Sequence, residues 1–262
     1  MKKQLIAFLM ALMPTLALAS GGAGYPLDHV DIDLKDKAGL QNGAKLFMNY
    51  CFGCHEAKFA RYGRVSDDLD ISPALMADNL LFADQKIGKL MTNPMDKKQA
   101  KAWFGAVPPD LTLVARAKGG PEWLYTYLRT FYKDESRPWG VNNKVFPLVG
   151  MPHVLAELQG EQIETCAQRP KLDDSHKEVI DPLTGNPITE EKCGVLEVVP
   201  GTGKLSAEEY DAEMRDLVAF LVYMGEPAAV ERERLGVYVL LFLVFFFVFA
   251  YLLKREYWKD IH

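Results

Sequence analysis

Apolar residues recur at helical spacing in three stretches of this chain. Leu40, Ala44, Phe47, Met48 and Cys51 follow an i, i+4, i+7, i+8, i+11 pattern. They predict a helix that starts at an Asp36 cap, runs to about Cys51 and turns that cysteine inward. The stretch "PPDLTLVARAKGGPEWLYTYLRTFY" predicts two helices parted by Gly119 and Gly120, with Pro121 in the first turn of the second. Trp123, Leu124, Tyr127, Leu128 and Phe131 form the apolar stripe of that second helix. The clearest helix is "SAEEYDAEMRDLVAFLVYMGEP". Ser206 and Glu209 stand at capping-box spacing, Tyr210, Met214, Leu217, Val218, Leu221 and Val222 form the buried face, and Gly225 and Pro227 stop it. Between these helices, residues 56–107 look irregular, with Pro73 and Pro94 as breaks. Residues 134–160 read as a loop carrying Pro138, Pro147 and Pro152. Residues 176–199 hold turn signals in "DPLTGNP" and the β-branched "VLEVV", which predict a small hairpin. The body is therefore mainly α, with long loops.

The two ends break this amphipathic pattern. "MKKQLIAFLMALMPTLALAS" has a positive start, an apolar run from Leu5 to Leu18 and Ala17-Leu18-Ala19 as a cleavage site. Residues 1–19 read as a cleaved signal peptide, because the run is short for a span and is interrupted by Pro14. Residues 235–253, "LGVYVLLFLVFFFVFAYLL", carry no charge. Nineteen helical residues cover about 28 Å, the thickness of a bilayer's hydrocarbon core. Tyr238, Tyr251, Tyr257 and Trp258 sit where interfacial aromatics belong, and Lys254, Arg255 and Lys259 place the tail on the cytoplasmic side. The expected order is signal 1–19, exported domain 20–225, linker 226–234, transmembrane helix 235–253 and cytoplasmic tail 254–262. The main domain then lies in the periplasm, tethered to the inner (cell) membrane by a single pass.

Charge narrows the partners. The chain has 262 residues, 30 Lys and Arg against 35 Asp and Glu, and a formal net charge of −5. Losing Lys2 and Lys3 with the signal takes −5 to −7. No basic excess supports a nucleic-acid partner.

The chemistry concentrates in "CFGCH", residues 51–55. On a helical turn, Cys51, Cys54 and His55 converge, and C-x-x-C-H is the attachment signature of c-type haem. The two thiols would add across the vinyl groups and His55 would reach the iron. A redox disulfide would want a βαβ setting, and a zinc site a second pair of ligands at finger-like spacing; neither pattern is present. The sixth iron position is open to Met76, Met91, Met95, Met151 or His153, whereas Met48, Met214 and Met224 lie in or beside helices and suit packing. Met151, in the proline-pinned "FPLVGMPHVL", is modestly preferred over Met91 and Met95. In an exported chain, Cys166 and Cys193 are expected to pair as a disulfide, because the haem motif uses the other two cysteines.

Taken together, these stretches resemble the cytochrome c1 family, the haem subunits of the cytochrome bc1 complex. "PLDHVDIDL", "CFGCH", "PPDLTLVARAKGG", "VFPLVGMP" and "DLVAFLVYMGEP" with the tail span are similar to its segments along nearly the whole mature chain. The resemblance implies a c-type cytochrome haem domain carrying one covalent haem c, with Met151 as the second axial ligand and Arg116 near a haem propionate. It also implies cytochrome b and a Rieske iron–sulfur subunit as partners, a soluble or membrane-attached cytochrome c as acceptor, and no substrate chemistry by this subunit alone. A free-standing tethered cytochrome and a haem peroxidase are the rival readings. His153 stands where relatives often carry another proline. Residues 156–199 match none of the family segments; they hold ten acidic and four basic residues, a surface that would either solubilise the domain or steer a positively charged cytochrome c.

Overall fold

A computed structural model describes residues 24–82, 85–171, 173 and 177–259. The expected signal peptide and the last three residues of the tail lie outside the described residues. The frame is a crossing of two helices, α1 (Lys37–Leu46) and α8 (Ala207–Gly225). The Asp36 carboxylate caps α1 by accepting from Gly39 N at 3.1 Å. Ser206 and Glu209 close a capping box on α8. The crossing is unusually close at Gly43, where an added Cβ would lie 2.1 Å from Asp216 O and 2.7 Å from Phe220 Cβ. Only a residue without a side chain fits there. Asn42 Nδ2 fastens the crossing by donating to Glu213 and Asp216, at 3.0 and 2.9 Å.

Beyond Leu46, α1 widens into a π-helical turn over Phe47–Cys51, closed by Phe52 N donating to Phe47 O at 2.9 Å. Phe47 sits fully buried against Phe220 of α8, ring centroids 5.7 Å apart. Helix α6 (Pro121–Arg129) joins the same core through Leu124, Tyr125 and Leu128. Tyr210 Oη of α8 donates to Leu128 O at 2.9 Å. Arg129 makes a two-pronged bond to Asp211 of α8, at 2.6 and 2.9 Å, and a third bond to Asp28 at 2.5 Å. Its guanidinium lies 4.6 Å from the Tyr125 ring centroid.

Residues 56–107 are more regular than expected. They form β1 (Ala57–Arg61), α2 (Tyr62–Asp68), α3 (Pro73–Asn79), β2 (Leu90–Met91) and α4 (Lys97–Phe104), with β1 and β2 antiparallel. The prolines do not break these helices. Pro73 opens α3 just after the Ser72 cap, where its missing N–H costs nothing, and Pro94 precedes the Asp96 cap of α4. A short α5 (Val114–Ala117) precedes α6, and β3 (Phe131–Lys133) pairs with β4 (Val141–Asn143). A one-turn α7 (Ala156–Gln159) leads into the hairpin.

That hairpin is longer than the one expected over 176–199: β5 (Gln162–Pro170) pairs antiparallel with β6 (Thr189–Val198). Most side chains along it are exposed, so β5 lacks the apolar alternation that would have marked it. The turn "DPLTGNP" is at its tip, where the Asp181 carboxylate accepts from Leu183 N and Thr184 Oγ1. The last element, α9 (Ala229–Tyr257), has 29 residues, an uncharged run over residues 235–253 and no buried residue. It is long and apolar enough to anchor the chain in a membrane. Most of the expected linker, from Ala229 on, is already helix, because "AVERERL" holds good helix formers and no breaker.

Candidate functional site

The π-turn delivers the Cys51 side chain into the core, and the chain then coils back on it. Cys54 N and His55 N both donate to Cys51 O, at 3.1 and 2.8 Å. This tight turn holds Cys54 and His55 half-buried beside Cys51. Burial, with Cys54 adding to it, pushes the Cys51 thiol up to about 12, and burial raises Cys54 as well. Such thiols stay protonated at neutral pH, which does not suit thiol–disulfide exchange.

His55 is oriented from outside the motif. Its Nδ1 lies 2.7 Å from Pro109 O. A carbonyl only accepts, so Nδ1 carries the proton and Nε2 presents a lone pair. Burial lowers the imidazole's pKa, against smaller opposing effects from the Pro109 carbonyl and Asp110. The ring is therefore neutral at pH 7, the form that ligates a metal. The "PPDLT" segment is built to hold that carbonyl. Asp110 accepts from Lys58 N at 2.7 Å and from Thr112 N at 3.1 Å, and Leu111 N donates to Glu56 O at 2.8 Å. The segment is thereby stitched to the strand that leaves the CFGCH turn.

Met151 stands at the end of a loop governed by two buried asparagines. Asn143 Oδ1 accepts from Val145 N and Phe146 N at 3.0 and 3.1 Å, while its Nδ2 donates to Tyr127 O at 2.7 Å. Asn142 Oδ1 accepts from Leu148 N at 2.8 Å, and its Nδ2 donates to Asp134 at 2.9 Å. Leu148 adopts φ +61°, a left-handed conformation that costs a residue with a Cβ about 1–2 kcal/mol. Arg137 Nη2 holds it there by donating to Leu148 O at 3.0 Å. Met151 is half-buried, and Tyr127 Oη donates to its Sδ at 3.4 Å. Tyr127 itself stacks on Trp123, centroids 5.0 Å apart and planes 9° apart. Burial raises its phenol pKa, so the hydroxyl keeps its proton.

The remaining methionines and His153 have different surroundings. Met48, Met76 and Met91 are buried around a cavity of about 10 Å³ with Tyr62 and Phe220. Met95 is half-buried, its N–H held by Asn93 Oδ1. His153 stacks on Phe131, centroids 4.8 Å and planes 3° apart, and burial pushes its ring down to about 4. Arg116 lies 3.5 Å from Glu226 and packs its stem on Gly225. Cys166 and Cys193 are joined by a disulfide across β5 and β6.

Two free thiols on one turn, a neutral imidazole with Nε2 unengaged and a thioether on a clamped loop make a donor set that suits haem c. Large apolar side chains left in solvent, among them Phe59, Leu113, Phe146 and Leu148, supply apolar surface on the segments that carry these donors. Sequence reasoning placed Tyr127 only in an apolar stripe and Pro109 and Asp110 only within a family segment, and it passed over Asn142, Asn143 and Arg137. The adjacent asparagines before a proline-rich loop were the one available signal, since Asn side chains satisfy nearby turn N–H groups.

Comparison with known proteins gives this geometry its context. The Cytochrome C1 family profile matches residues 204–261. Over its full length the chain is 51% identical to cytochrome c1 of Allochromatium vinosum, itself covered completely. It is 44% identical to a protein named ammonia monooxygenase gamma subunit from Nitrosomonas europaea, over 99% of this chain and 100% of that one. It is 25% identical to cytochrome c1 of Rhodobacter capsulatus, over 98% of this chain and 97% of that one. With half of all positions shared along its entire length, the chain belongs to the cytochrome c1 family.

Proposed function

We propose that this chain is the haem-bearing, membrane-anchored electron carrier of a quinol–cytochrome c reductase. Cytochrome c1 proteins bind haem c and act as electron-transfer subunits of a reductase complex. The observation that carries the reading is the CFGCH turn, with His55 oriented by the Pro109 carbonyl. Cys51 and Cys54 are the attachment thiols, His55 and Met151 the axial ligands, and Arg116 the cation for a propionate. The haem supplies reversible one-electron chemistry, at a potential that thioether ligation raises. The chain's own residues do the rest. Pro109 O fixes the imidazole tautomer, the two asparagines and Arg137 hold the Met151 loop, and Tyr127 donates to the thioether. The electron comes from a Rieske iron–sulfur partner, in a complex with a cytochrome b, and leaves to a cytochrome c. No substrate bond is made or broken on this subunit. The haem domain, residues 20–225, faces the periplasm, α9 crosses the inner membrane and the tail is cytoplasmic.

Three measurements test this. Haem staining after denaturing electrophoresis should be lost in a Cys51→Ala, Cys54→Ala double variant; a variant that still stains ends the reading. Purification in mild detergent should bring down a cytochrome b and an iron–sulfur protein. Recovery of the chain alone would favour a free-standing tethered cytochrome. Replacing Met151 with Leu should lower the potential strongly, and a native potential would move the ligand to Met91 or Met95.

A further inference from the structure

Resting on that reading, we propose that Glu226 is a positioning residue for the haem. It divides one carboxylate between Arg116, the cation assigned to a propionate, and Arg232 of the membrane anchor, and so sets how fully Arg116 serves the haem. The carboxylate stands at the joint between the main domain and α9. Helix α8 ends at Gly225, α9 begins at Ala229, and Glu226 N donates to Tyr223 O at 3.0 Å. Glu226 Oε2 lies 3.5 Å from Arg116 Nη1, while Glu226 Oε1 accepts from Arg232 Nη1. Among the described residues, Arg232 is the one side chain of α9 that forms an ion pair outside that helix. The place suits both cations, because the C-terminal end of a helix carries partial negative charge.

The joint is packed against the segment that orients His55. A Cβ on Gly225 would lie 3.5 Å from Arg116 Cγ and Cδ and 3.6 Å from Thr112 O. Thr112 N is held by Asp110, the residue after Pro109, whose carbonyl meets His55. The stem of Arg116 is thus seated on the end of α8, but its guanidinium can swing: the side chain is 60% exposed, against 27% for Glu226. Among the described residues, Glu226 is the one acid paired with Arg116. A guanidinium shared with one carboxylate offers a second carboxylate fewer free N–H groups and less net charge. Glu226 therefore competes with the propionate for Arg116, and Arg232 moderates that competition by holding the other oxygen of Glu226. A positive charge beside the haem favours its reduced form, which carries one more electron. Removing the charge of Glu226 should release Arg116 to the propionate and favour reduction. Removing Arg232 should tighten the Arg116–Glu226 pair and favour oxidation.

The test is an equilibrium redox titration of the haem in the detergent-purified complex. At a fixed ambient potential, the ratio of reduced to oxidised haem should rise about two- to fivefold in Glu226→Gln, the range that exposed ion pairs command. It should fall by a similar factor in Arg232→Gln, and both variants should keep a nearly native thermal midpoint. A bare change of charge would give the same two signs, so each substitution is repeated in an Arg116→Gln background. There both shifts should drop to less than about half, because no guanidinium is left to position. Shifts of equal size in the two backgrounds, or a native ratio in Glu226→Gln, overturn the proposal. So does a lowered thermal midpoint with a native ratio, which would make Glu226 a structural contact alone. Arg116→Gln by itself tests the assignment beneath: it should lower the ratio, and a native ratio would take Arg116 away from the haem and the proposal with it. A chain that carries no covalent haem would instead defeat the functional reading.

Discussion

Replacing Asn143 with Ala should loosen the grip on Met151 without touching any haem donor. Asn143 is 1% exposed and makes three bonds of this network, to Tyr127 O, Val145 N and Phe146 N, at 2.7, 3.0 and 3.1 Å. Each such bond contributes about 1 kcal/mol net, and buried groups left without partners cost more, so the loss should reach about 3 kcal/mol. The bond to Tyr127 O ties Asn143 to the end of α6, and those to Val145 N and Phe146 N shape the turn that opens the loop, so losing all three should let the loop lift more readily. At 1.4 kcal/mol per factor of ten, about 3 kcal/mol makes that lifting about a hundredfold more frequent. With Met151 as the proposed sixth ligand, an exogenous ligand reports the lifting, because imidazole would bind the oxidised iron only when Met151 is off it. The apparent imidazole affinity of the haem-loaded variant should therefore rise by up to about a hundredfold, with haem staining unchanged. If the thermal midpoint falls but imidazole affinity stays native, these bonds stabilise the fold at large and do not hold the ligand loop.

Other expectations follow from the same geometry. Tyr127→Phe removes the hydroxyl on Met151 Sδ; the potential should fall, by much less than in Met151→Leu, with thermal stability nearly native, and an unmoved potential would dismiss the contact. Arg129→Gln breaks the fork to Asp211 and the bond to Asp28, and should cost about 1–3 kcal/mol in thermal unfolding, since the pair is only partly buried; a loss within about 0.5 kcal/mol would contradict that. Under non-reducing mass spectrometry, Cys166 and Cys193 should resist alkylation. Reducing them should speed proteolysis within the hairpin while the haem stays attached, and two freely alkylated thiols would remove the bond.

The three main helices were legible in the sequence because each buries a stripe against the same core. The stripe ending in Cys51 carries its own chemistry in its last turn, so CFGCH marks a candidate haem site with no knowledge of the fold. What escaped was set by contacts distant in the chain. Gly43 looks like any helical glycine until Asp216 arrives from α8. Pro73 and Pro94 looked like breaks, because a proline reads alike whether it ends an element or opens one; the caps at Ser72 and Asp96 decide it. Pro109 could not be tied to His55 from sequence, since the link is a backbone carbonyl and any residue has one. The charge count over 156–199 gave a sign for that segment. It could not show that Glu157, Glu161 and Glu164 are spent on lysines of the body.

Helix α6 is the part through which the two sides of the proposed haem site are held in one frame. Its inner face packs in the core, and its end is tied to α8 by Tyr210 on Leu128 O and by Arg129 on Asp211. α8 in turn crosses α1, whose final turn presents Cys51. The same helix holds the Met151 loop, through Asn143 on Tyr127 O and Tyr127 Oη on Met151 Sδ. It also holds the N-terminal segment, through Thr126 Oγ1, which accepts from Asp28 N at 2.8 Å, and through Arg129 on Asp28. A packed core does not deform gradually, so the Cys51–His55 turn and Met151 are positioned by one continuous set of contacts and not by two independent loops. For an electron carrier this placement has a direct use. The proposed ligands need to stay where they are while the iron changes charge, and a ligand loop fastened to a core helix is held more firmly than a surface loop alone.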